Sequence, residues 1–115
     1  MTGGFSKFAY GTVPAEYAFA NIAASQTAAS IVAAVAGKKI RVVALAFVCG
    51  ATATNATFNS DSGAISPLFA NAANGGAILP FNPVGWFETD TGEALTLTTG
   101  TGATTGLQVV YVKYG

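Results

Sequence analysis

Ten consecutive residues, 40–49 (IRVVALAFVC), constrain this chain more than any other feature. β-Branched and aromatic side chains dominate the run, Gly37 precedes it and Gly50 follows it. That length and composition suit a strand with both faces covered, which makes it the expected central core strand. Other short apolar runs follow at intervals of about ten residues, separated by turn-forming residues, the sequence habit of an all-β sandwich or barrel.

The C-terminal two thirds shows this rhythm best. A short strand is expected over residues 56–59, a tight turn at Asp61-Ser62-Gly63, and a return strand over residues 65–69. Residues 71–76 (NAANGG) read as a loop and 77–81 as another short strand, which Pro80 and Pro83 place at an edge or a corner. After the turn Asp90-Thr91-Gly92, residues 94–98 alternate apolar and polar, so that Leu95 and Leu97 share one face. Residues 107–114 (LQVVYVKY) form the last strand, with Leu107, Val109 and Tyr111 on one side and Val110, Val112 and Tyr114 on the other.

The N-terminal third is rich in Ala, and propensity alone permits a helix over residues 16–24. Tyr17, Phe19 and Ile22 lack helical spacing, however, and Tyr17-Ala18-Phe19 alternates as a strand does, so strands are expected. Residues 28–35 and the turn Ala36-Gly37-Lys38-Lys39 suit a hairpin into the central strand. Residues 1–14 are expected to form an extended arm on a single domain spanning 1–115.

Charge removes several functional classes. Only 9% of the residues are charged, and five basic and five acidic side chains cancel. No long-range field then draws the protein to nucleic acid or anionic lipid, so neither is expected as a partner. With no His in the chain, the usual general base and the Ser-His and Cys-His nucleophile arrangements are excluded, and no enzyme activity is expected. Residues 28–36 and 42–49 are apolar but far shorter than a membrane span. The N-terminus, Met1-Thr2-Gly3-Gly4-Phe5, lacks the basic and apolar pattern of a secretion signal.

Few residues carry candidate chemistry. Glu88, Asp90 and Glu93 are the sole acidic cluster, but they lack the ligand spacing of a calcium loop and read as a solvated turn. Lys38, Lys39 and Arg41 read as a solvated hairpin tip able to meet an acidic neighbour. Gly100-Thr101-Gly102 with Gly106 lacks the helix that a dinucleotide site requires. Cys49 reads as a buried, inert thiol. Trp86, beside Phe81 and Phe87, either plugs one end of the core or offers a sugar-stacking platform. No cofactor and no metal are expected. A chain with this little charge and this much apolar surface is expected to bury part of it against copies or partners.

One stretch carries a resemblance: Pro80-Phe81-Asn82-Pro83-Val84-Gly85-Trp86-Phe87-Glu88-Thr89-Asp90-Thr91-Gly92-Glu93-Ala94-Leu95. It is similar to a segment of small structural proteins of tailed bacteriophages, in which a proline-bracketed turn leads to an aromatic pair and then to a Thr-x-x-Gly-Glu-Ala-Leu turn and strand. Gly37-Lys38-Lys39-Ile40-Arg41-Val42 resembles the approach to their central strand. The likeness runs from residue 28 to the end, about three quarters of the chain.

The resemblance implies a jelly-roll-type antiparallel β-sandwich of about eight strands, in the family of capsid decoration or cement proteins. Such proteins sit as homotrimers on the outside of the head and reinforce contacts of the major capsid protein. The chain would then be a virion component on the capsid surface, made in the host cytoplasm. A tail fibre or spike module, or a carbohydrate-binding β-sandwich, is the alternative. No catalytic residues are implied. Pro83, Gly85 and Trp86 take an architectural role at the corner, and Ile40, Val42, Leu95 and Leu97 one in the core.

Overall fold

A computed structural model describes residues 14–115, so the expected arm lies, save for Pro14, outside the described residues. Ten strands and no helix are present among them: β1 (Glu16–Ile22), β2 (Ala29–Val32), β3 (Lys39–Cys49), β4 (Thr54–Ser60), β5 (Gly63–Ala64), β6 (Phe69–Asn71), β7 (Gly76–Leu79), β8 (Phe87–Glu88), β9 (Leu95–Thr99) and β10 (Thr105–Tyr114). All pairings are antiparallel. One sheet runs β1-β10-β3-β7, with β8 also on β3; the other runs β2-β9-β4-β5, with β6 also on β4. The pairs β5/β6 and β7/β8 each flank a single neighbour, so the ten segments fill eight strand positions.

The core lies between the two sheets. Ile40, Val42, Leu95 and Leu97 are fully buried there, together with Phe58 and Val109. Phe47, Phe58 and Phe69 meet edge to face with centroids 5.0–6.2 Å apart, and Phe87 stacks on Phe58 at 5.4 Å. These offset and T-shaped contacts suit the ring quadrupoles and fix the sheets' spacing at this end.

The strand at the centre does not alternate along its whole length. Opposite β10, the partner of Val110 is Ala44 and that of Tyr111 is Val42, so Val43 is an extra, unpaired residue. This bulge flips the alternation: Ile40 and Val42 face the core before it, Leu45 and Phe47 after it.

One expected hairpin is corrected, and the other forms at the Asp61-Ser62 turn with a changed return strand. Residues 28–39 do not fold back as one, because β2 pairs with β9 while β3 lies in the other sheet, and the Gly37 turn carries the chain between sheets. The return strand over 65–69 is broken into β5 and β6. Pro67 has no N–H to give, and Ser66 turns its hydroxyl inward to accept from the Phe58 N–H at 2.9 Å. Four residues, Ile65 to Leu68, thereby oppose only Thr57 and Phe58.

Candidate functional site

The proline-bracketed segment forms a tight corner beside β3. Asn82-Pro83-Val84-Gly85 is a turn closed by Gly85 N–H to Asn82 O at 2.9 Å, with Asn82 Oδ1 accepting from the Val84 N–H at 3.0 Å. Proline at the second position and glycine at the fourth are what such a turn favours. Gly85 has φ +94°, and a Cβ there would lie 2.5 Å from Arg41 Cγ, so the side chain of Arg41 packs directly over it. Backbone bonds from Asn82 to Val43 O and from Trp86 to Val42 O fasten the corner to the bulge. The expected core plug at Trp86 is not formed: the residue is 40% exposed, and its indole N–H donates to Pro80 O at 2.7 Å. Phe81 is exposed beside it, whereas Phe87 turns inward onto the core.

Beyond the corner, the ionisable groups bind one another. Glu88 accepts from Arg41 Nε at 2.9 Å, from Lys39 Nζ at 3.3 Å and from the Tyr114 hydroxyl at 2.5 Å. Arg41 also lies over the Tyr114 ring, 4.7 Å from its centroid. Lys39 and Arg41 are therefore parts of a latch joining β3, β8 and the end of β10, and only Lys38 of the expected solvated tip is exposed. Burial pushes the Glu88 carboxyl upward, but the bonds from Tyr114, Arg41 and Lys39 and the Arg41 charge together hold it below its ordinary value.

Three of the other acidic residues, Asp61, Asp90 and Glu93, hold a turn. Glu93 Oε1 accepts from the Ser60 hydroxyl and the Ser62 N–H, Asp90 from the Ser62 hydroxyl, and Asp61 from the Ala94 N–H. These carboxylates tie the β4–β5 turn to the loop before β9 by accepting from neighbouring donors. Among the described residues no group of three or more His, Cys, Asp or Glu side chains could hold a metal ion. Cys49 is buried, with its thiol donating to Ala72 O at 3.0 Å.

The two outer faces of the sandwich differ sharply in chemistry. On the β4-containing sheet, the outward positions carry Ser30, Asn55, Thr57, Asn59, the buried Thr96 and Thr98, with Ala64 and Ala70 on the edge segments, and the Thr98 hydroxyl donates to Asn59 Oδ1 at 2.8 Å. That face is built for water. On the β3-containing sheet, the outward positions past the bulge carry Tyr17, Phe19, Ala46, Val48 and Ile78, with Asn21 and Gln108 as their polar members, while Lys39, Arg41 and Glu88 lie on the same face before the bulge. The register sets Phe19, Gln108, Ala46 and Ile78 in one row across four strands. Phe19 and Ile78 are walls, and the small residues Ala46, Gly76 and Gly106 form the floor of an apolar groove of about 750 Å³. A Cβ on Gly76 would lie 1.8 Å from Phe47 O, so only glycine permits β7 to approach β3 this closely.

The central strand's expected cover is thus corrected: one side of β3 is buried, but Ala46 and Val48 on the other are exposed, because none of the described residues forms a layer over them. The residues singled out in the sequence separate into two places. Ile40, Val42, Leu95 and Leu97 are in the core, while Pro83, Gly85 and Trp86 are at the corner. Neither group includes the outer face. Its signal was present in β1, where large Tyr17 and Phe19 alternate with Ala18 and Ala20; the alanines pack on the core and the aromatic rings point out. No family model, no curated protein and no solved structure matches the chain.

Proposed function

We propose that this protein is a non-enzymatic virion component of a tailed bacteriophage, a capsid decoration or cement protein that works as a homo-oligomer on the outside of the head. The observation that carries the reading is the contrast between the two outer faces, one mainly of Ser, Asn and Thr and the other bearing an exposed patch of Tyr, Phe, Val and Ile. A protein that is wetted on one side and apolar on the other is suited to contact by surfaces, and exposed apolar patches of this kind mark interaction sites. The chain order supports a jelly-roll reading of the sandwich. The path passes from one sheet to the other at nearly every step, and the first and last strands pair at one side. A threefold assembly and a contact with the major capsid protein are what the resemblance implies.

The mechanism is one of linkage. A protein that binds the assembled shell and not the dissociated subunits stabilises the shell in proportion to its occupancy. Sedimentation of the purified protein with phage heads and with dissociated capsid subunits tests this. Saturable pelleting with heads alone is expected; equal binding to free subunits, or none to heads, contradicts the reading.

One observation favours a second reading, a fibre or spike module that touches glycan. Trp86 and Phe81 are both accessible at the corner, and Val84 stands beyond them. Retardation by a polysaccharide, lost in Trp86→Ala, would favour it over the cement role.

A further inference from the structure

We infer that the apolar outer face of the β3-containing sheet is covered by a second copy of this chain. Three observations lead there.

The first is area. Phe19 is 79% exposed, Ile78 77%, Tyr17 66% and Val48 51%. With aromatic side chains presenting about 150–250 Å² each, these four alone leave roughly 500 Å² of apolar surface in water. Ala46, Gln108 and Val110 extend the same face. The largest patch on a monomer is about 300–600 Å² and is often functional, and these four side chains alone supply roughly three fifths of the about 800 Å² that one side of a stable interface takes.

The second is charge. A partner of opposite sign has nothing to recognise here, since Lys39, Arg41 and Glu88 are gathered in the latch, and Glu16 and Lys113 pair with each other at 3.3 Å. Past the bulge the patch carries no charge of its own, and on a chain of zero net charge it meets no repulsion from its own copy.

The third is shape and polarity. The face is a trough with raised sides, Phe19 on β1 and Ile78 on β7, three strand spacings or about 14 Å apart. A sheet laid on it at the usual separation of about 10 Å brings ridges into the trough. The one polar side chain in the central row is Gln108, whose amide both donates and accepts and therefore matches the same residue in another copy. The contact serves a cement protein, but it follows from the face whatever larger structure the protein joins.

The test is the native mass of the full chain by light scattering behind a sizing column, at several concentrations. A mass at least twice the 11.5 kDa of the chain is expected, and the double variant Phe19→Lys/Ile78→Lys should run at the single-chain mass. Leu68→Lys, at an exposed position before β6 in the other sheet, should keep the assembled mass. A wild-type protein at single-chain mass throughout overturns the inference and points to residues 1–13 or another protein as the cover. An assembly that survives the double substitution overturns it as well. Should that variant fail to fold, hydroxyl-radical footprinting of the unaltered protein decides. Phe19 and Ile78 labelled several-fold less than Leu68 is expected, and labelling equal to Leu68 is the contradicting result.

Discussion

Tyr114, the penultimate residue, donates its phenolic hydrogen to Glu88 Oε1 at 2.5 Å and so pins the end of β10 to β8 across the intervening Arg41. The bond joins residues that share no local sequence, and it closes the sheet beside the corner. Tyr114→Phe removes the hydroxyl but keeps the ring under the Arg41 guanidinium. A loss of about 1 kcal/mol in stability is expected, read as a shift in the urea midpoint at unchanged slope. No measurable shift would mean that the latch carries no stability.

The same latch sets a pH dependence. Glu88 is held below its ordinary value near 4.5, and Glu93 is lowered by its bonds to Ser60 and Ser62. A carboxyl depressed in the folded state stabilises the fold above its unfolded pKa, and that contribution is lost as pH falls through the folded value. Tyr114 is raised above 10 by burial and then by its bond to Glu88, so its contribution is complete below that pH and lost as pH rises through the folded value. The thermal midpoint should therefore be level between about pH 5 and 10 and fall on both sides. In Glu88→Gln the acid fall should be shallower; an identical profile would remove Glu88 from the account.

Gly85→Ala tests the corner. The alanine must adopt a φ of +94°, and its Cβ would displace the Arg41 side chain that closes the latch. A loss of about 2 kcal/mol is expected, since a backbone strain and a broken ion pair add. Chemical denaturation within a few tenths of wild type would show that the corner adapts freely.

Leu97 and Phe19 separate the two apolar surfaces. Leu97 is fully buried, so Leu97→Ala should cost about 2–5 kcal/mol through the cavity it leaves. Phe19→Ala, at an outward position of β1, should change the stability of a single chain by less than about 0.5 kcal/mol while weakening self-association. Calorimetry at low concentration separates the two. A large loss for Phe19→Ala under dilution would place that ring inside the fold.

Period-two alternation is visible in a sequence whenever large and polar residues take turns, and β9 was legible for that reason: Leu95 and Leu97 against Thr96 and Thr98. Direction is not encoded so simply. In β1 the larger residues face outward and the alanines inward, and alternation alone does not say which side the core is on. The bulge at Val43 was hidden because four apolar residues in succession read as a strand with two buried faces. In the same way Lys39 and Arg41 looked like a solvated tip, since their partner Glu88 lies more than forty residues away and only the paired sheet brings it near. The corner was legible, because proline and glycine act on the backbone where they stand.

The proposed role is reinforcement of a capsid by surface contact alone. The most direct measurement is the temperature at which DNA escapes from phage heads carrying the protein, stripped of it, and stripped then resupplied with it. Decorated and resupplied heads should hold their DNA to a higher temperature than stripped ones, with the gain rising as occupancy rises. Equal release temperatures for all three would contradict that role.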